Sequence, residues 1–156
     1  MINFEDIEKV NADIKTTPIK GKDYAEVPQR VLAFRKLFPN GCISTSIESL
    51  ENGVVVMKTL VSDEDGKLLA TGYAYEKEGN GFINANSFIE NCETSSVGRA
   101  LAFLAIGTEK SIASYEEVAN AIEQGKPKKQ IPNIISSDKP LTPKMIKDIQ
   151  DLVERQ

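Results

Sequence analysis

The pair Asn52-Gly53 constrains this chain more than any other feature. It separates two runs rich in apolar and β-branched residues, CISTSIES at 42–49 and GVVVMKTLVS at 53–62. Asn-Gly between such runs favours a two-residue turn whose twist matches an antiparallel pair, so a β-hairpin is expected. A third run, KLLATGYAYE at 67–76, follows the turn signal Asp63-Glu64-Asp65-Gly66 and extends the hairpin to a meander. In the second run Val54, Val56 and Leu60 alternate with Val55, Met57 and Val61. With both sets apolar, the strand is expected to be covered on both faces, Lys58 interrupting one. FINANSFI, after Glu78-Gly79-Asn80-Gly81, reads as a fourth short strand.

Helical spacing appears on either side of this meander. Phe4, Ile7, Val10 and Ile14 form an amphipathic stripe that Pro18 and Gly21 should end, a candidate docking arm. A second helix is expected from Pro28 to Phe38, with Val27, Val31, Phe34 and Phe38 inward and Arg30, Arg35 and Lys36 on the other side. A helix over about 94–106 should bury Val97, Leu101, Leu104 and Ala105, stop at Gly107, and use Thr94-Ser95-Ser96 as its cap. Gly98 inside it implies a close approach, most simply of helix on sheet. Ser114 and Glu117 form a capping box for YEEVANAIEQ. The expected fold class is α+β, a three- to four-stranded antiparallel meander with a long helix packed on it (a β-β-β-α core) plus N- and C-terminal helices. Residues 1–125 form the domain, 126–141 (KPKKQIPNIISSDKPL) an extended Pro/Lys-rich linker, and 142–156 a C-terminal helix.

The 156 residues include no histidine, which removes imidazole bases, the common nucleophile systems that need them, and His-containing zinc sites. Cys42 and Cys92 stand alone, without metal-ligand spacing. The acidic clusters 63–65 and 116–117 lack the loop spacing of a calcium site and read as solvating features. No catalytic residue, metal or cofactor is expected, and the chain is read as a non-enzyme. With no apolar stretch near 20 residues and no basic-then-apolar leader, it is expected in the cytoplasm and off the membrane. The formal charge of −4 is unevenly placed. Residues 15–40 carry six Lys or Arg against two acids, whereas residues 41–125 carry five against thirteen. A basic segment thus precedes an acidic middle, a pattern compatible with a polyanionic partner and equally with ordinary surface patchiness.

KGKDYAEVPQRVLAFRKLFPNG, LLATGYAYEKEG, FIENCETSSVGRALAFLAIG and SIASYEEVANAIEQ together span roughly residues 20–124. This stretch resembles small phage-type single-strand annealing proteins related to the Rad-fifty-two superfamily, and Glu93 to Leu101 carries the most specific part. The resemblance implies a β-β-β-α core assembled into a homo-oligomeric ring or filament. It also implies binding of single-stranded DNA and annealing of complementary strands in phage-type recombination, a single-strand-binding protein as a further partner, and the host cytoplasm as location.

Such a function needs cations on a rigid groove wall and a few aromatic rings, and no titrating group. The expected DNA-binding residues are therefore Arg30, Arg35, Lys36, Lys58, Tyr73, Tyr75 and Arg99. Each has a structural alternative: a solvated helix face for Arg30, Arg35 and Lys36, snorkelling for Lys58, an ion pair with Glu93 or Glu90 for Arg99, and cross-strand packing for the two tyrosines. The alternative function is an oligomeric protein-interaction module, for example a phage inhibitor of a host protein, on the same scaffold.

Overall fold

The computed structural model describes residues 2–81, 83–109 and 111–125. The expected linker at 126–141 and helix at 142–156 lie outside the described residues, as does Phe82. Helix α1 (Phe4–Ala12) opens on a capping box in which Asn3 and Asp6 exchange side-chain and backbone hydrogen bonds. Strands β1 (Thr16–Ile19) and β2 (Lys22–Ala25) then form a small hairpin, turning at Lys20 and Gly21, both at positive φ. Helix α2 (Val27–Leu37) carries Pro28 in its first turn, where a missing N–H costs nothing. Strands β3 (Cys42–Glu51), β4 (Val54–Ser62) and β5 (Leu68–Lys77) make an antiparallel sheet in that order, with Asn52 and Gly53 at positive φ in the turn. A single 3-10 turn (Ile83–Ala85) leads into α3 (Phe88–Phe103), and α4 (Tyr115–Gln124) follows with the Ser114–Glu117 capping box closed on both sides.

The α+β class and the meander are as expected, whereas several local expectations are corrected. The β1–β2 hairpin replaces a simple helix exit, because Pro18 can occupy a strand that pairs on one side only. The fourth strand is absent among the described residues, and α3 begins at Phe88 instead of about residue 94. Thr94, Ser95 and Ser96 are therefore interior helical residues and not a cap. Ala105, at φ 63, lies beyond the helix, so it is not part of the buried face. Strand β4 is covered on one face only: Val55, Met57, Thr59 and Val61 are buried, while Val56, Lys58 and Leu60 face the other way and stay half-buried or exposed.

Helices α2 and α3 share the covered face, where Ala33, Phe34, Val61, Ala70, Ala100, Leu101 and Ile106 form the main core. A smaller cluster joins Val55, Met57 and Cys92. Close approach of helix to sheet is made possible by Gly72 on β5, where a Cβ would collide with the Ser96 carbonyl and the Ala100 amide of α3. Gly98 instead faces Val27 and Ser114, so its role is the contact of α3 with α2 and the start of α4 rather than with the sheet. The α1 helix docks on its own domain: Asn11 donates from Nδ2 to the Ala105 carbonyl at 2.7 Å and accepts from the Gly107 amide at 2.9 Å. Among the described residues no helix is long and apolar enough to cross a membrane.

Candidate nucleic-acid interface

Alternation along β5 sends Ala70, Gly72 and Ala74 toward α3 and leaves Tyr73 and Tyr75 on the opposite face. That face carries no described helix. Tyr73 is 50% exposed and Tyr75 73%, so both rings are open to solvent. Lys58 pairs with Tyr73 in the register and with Ser46 on its other side, and its Nζ lies 5.7 Å from the Tyr73 ring centre. An ammonium at that distance is held by the negative face of the ring while still open to an anion. Ser44, Ser46 and Leu60 extend the same open face.

Arg30 requires a correction. It is completely buried, and its guanidinium donates to five backbone carbonyls: Gly98 and Ile112 at 2.8 Å, Ser111 at 3.1 Å, Gly107 at 3.2 Å and Ala113 at 3.4 Å. Burial pulls its pKa below the usual arginine value, opposed by the nearby Glu117 and Glu116 carboxylates. Its two terminal nitrogens are taken up in closing the segment after α3, while Nε is buried without a partner among the described residues; with the whole side chain enclosed, it is unavailable to a phosphate. Arg35 is exposed on α2, its guanidinium 5.5 Å from the Phe34 ring centre and donating to the Gly41 carbonyl. Lys36 pairs with Asp13 at 2.8 Å, and this contact holds the exposed Asp13 carboxyl below its ordinary pKa. Both lie on the helical side of the sheet, away from the tyrosines.

Arg99 pairs with Glu117 of α4 at 3.1 Å, and not with Glu90 or Glu93. Glu117 also accepts from the Ser114 amide, and Glu116 caps α2 through the Val27 amide at 3.0 Å. The acids at 116–117 are thus structural, as is Asp63, which accepts from the Asp65 and Lys67 amides in its turn. Of the seven expected residues, the structure brings Lys58, Tyr73 and Tyr75 together on the open sheet face. Arg99 lies around the outer edge of β5 from them, lining a cleft that the two tyrosines also line.

A polar chain beside that cleft was invisible in sequence. Glu76 accepts from Asn84 and Gln124, Asn84 accepts from Asn91 at 2.8 Å, and Asn91 accepts from Asn120 at 2.6 Å. The only sequence signal is the run of amides at 84, 86 and 91, which reads equally well as a polar turn. Cys92 lies among Val55 and Met57, and burial, helped by Glu76, pushes its thiol up to about 11. Among the described residues there is no cluster of side chains able to hold a metal ion.

No curated protein matches the chain. Residues 31–104, running from within α2 through β3, β4 and β5 into the turn after α3, match the model of a family described as Slr1353 N-terminal dsRNA-binding domain-like. The matched segment holds the three-stranded sheet, α3 and the latter part of α2. This overturns the resemblance to Rad-fifty-two-related annealing proteins: the family that the core is similar to is a different one, bearing on double-stranded RNA by its description.

Proposed function

We propose that this protein is a nucleic-acid-binding domain without catalytic activity, and that it holds a single strand across the open face of the β3-β4-β5 sheet. The observation that carries the reading is the exposed pair Tyr73 and Tyr75 with Lys58 above the first ring. Side chains two apart on a strand stand about 7 Å apart, so two rings can each receive a base of one strand. Stacking tolerates any sequence, and the ammonium supplies a phosphate contact beside it. Bases held by their faces keep their pairing edges free, which is the requirement for annealing to a complementary strand. Annealing by a self-associated form is the finer part of the proposal.

A second reading follows from the family description: duplex RNA contacted on the helical side through Arg35 and Lys36. Titration of labelled single-stranded DNA, single-stranded RNA and duplex RNA at two salt concentrations tests both. Salt-sensitive binding to single strands that survives Arg35→Ala/Lys36→Ala supports the sheet-face reading. Preference for duplex RNA, lost in that double variant, supports the second. An absence of binding to all three overturns both and favours a protein-interaction module. Sedimentation of the full chain with and without an oligonucleotide tests self-association, which a 17 kDa species alone would exclude.

A further inference from the structure

Between the outer edge of β5 and α4 lies a cleft of about 610 Å³, within the usual size range of small-ligand sites. Its floor is α3, through Ser95 and Arg99, and its rim is formed by Tyr73 and Tyr75. Ser95 is only 3% exposed, and its hydroxyl finds no hydrogen-bond partner among the described residues. A serine inside a helix ordinarily bonds back to a carbonyl of the preceding turn, as Thr94 does with Glu90 and Ser96 with Glu93. Ser95 lines the cleft with that capacity unused. Asn120, also buried, lines the cleft from α4.

Charge narrows the choice of ligand. Two cations, Lys77 and Arg99, and two carboxylates, Glu76 and Glu117, line the cleft, and Arg99 is already paired with Glu117. Such a balanced site is poor for a free phosphate and suited to a neutral, planar, hydrogen-bonding group. The two tyrosines belong to both the open face and the cleft rim, so a strand stacked on them passes the cleft mouth. We propose that the cleft receives the base of one unstacked nucleotide of that strand, its edge hydrogen-bonded by the Ser95 hydroxyl and the Asn120 carboxamide. The inference rests on the single-strand reading above and adds to it a base-reading position. Such a position gives a sequence preference that stacking alone does not supply.

The test uses the full chain and four 12-nucleotide homopolymers, in deoxy and ribo forms, each also made with a central 2-aminopurine, whose emission rises when it is unstacked. Wild-type protein should raise the emission and discriminate among the homopolymers. Ser95→Ala should fold normally, because it removes a hydroxyl without a partner, and should weaken the preferred homopolymer roughly 2- to 10-fold, the value of one hydrogen bond, while leaving the others unchanged. Equal loss in deoxy and ribo forms assigns the contact to the base; discrimination by Ser95 between the two sugars instead would overturn it. Ser95→Ala with wild-type affinities and emission throughout would also sink the cleft. Tyr73→Ala/Tyr75→Ala separates the two claims. If that variant loses all binding while Ser95→Ala changes nothing, the strand reading stands and only the cleft fails; if it binds like wild type, the strand reading fails.

Discussion

Lys58 on β4 and Tyr73 on β5 are paired directly across the sheet, and the Lys58 ammonium stands 5.7 Å from the centre of the Tyr73 ring on the face that no described helix covers. Lys58→Gln should leave the fold intact, since an exposed cation–π contact is worth about 0.5–1 kcal/mol. It should reduce the slope of log affinity against log salt by roughly 0.7, the share of one phosphate contact on a single strand. Titrations at several salt concentrations measure this slope directly.

Arg30 gives the opposite expectation. Charge-assisted hydrogen bonds contribute about 1.5–3 kcal/mol each, and five carbonyls around it would lose their donor together. Arg30→Met should therefore destabilise by at least about 3 kcal/mol in denaturant melts. Arg30→Lys should not rescue, because an ammonium cannot span the fork that the guanidinium fills. Wild-type stability of either variant would show that the buried cluster is not what holds the segment after α3.

Gly72 lies where β5 meets α3, and any Cβ there meets helix backbone rather than a movable side chain. Overpacking of this kind costs about 1–3 kcal/mol or more. Gly72→Ala should lower the melting temperature markedly, whereas Gly66→Ala, in an open turn with nothing nearby, should cost only the strain of its positive φ.

Cys92 supplies a pH signature. Its folded-state pKa of about 11 stands above the ordinary value of 9.0, so the folded protein keeps a proton that the unfolded chain releases. Its contribution is fully present below pH 9 and is lost as the pH rises from 9 through 11. Denaturant midpoints should fall across that window, and less so in Cys92→Ala. Consistent with its burial, a thiol reagent at pH 8 should modify Cys42 quickly and Cys92 only on unfolding.

The meander was legible because its signals are local: Asn52-Gly53 and Asp63 to Gly66 specify turns without reference to anything distant. The capping box at Ser114 and Glu117 was readable for the same reason. What failed depended on partners far along the chain. Arg30 is separated from its carbonyl acceptors by 68 to 83 residues, so on a helical wheel it looked like Arg35. The start of α3 is not legible because FINANSFI is a short apolar run directly after the turn Glu78-Gly79-Asn80-Gly81, and only the side-chain bonds of Asn84 and Asn91 reveal a second turn. The apolar residues on both sides of β4 suggested two covered faces; the uncovered one is where the tyrosines stand. In sequence Ser95 reads as part of a cap; its placement over a cleft depends on where α4 packs beside α3 and β5, and that packing, unlike the helix itself, has no local signal.

The central claim is that bases stack on Tyr73 and Tyr75, and the chain has no tryptophan to obscure tyrosine emission. Of its four tyrosines, Tyr24 and Tyr115 lie elsewhere, so a Tyr24→Phe/Tyr115→Phe protein reports on the open face alone. Titrated with a single-stranded oligonucleotide, its emission should be quenched in step with binding followed by anisotropy of the label, and Tyr73→Ala or Tyr75→Ala should each weaken binding by about tenfold. Saturation of the anisotropy signal with no change in tyrosine emission, and with unaltered affinity in both alanine variants, would contradict the account.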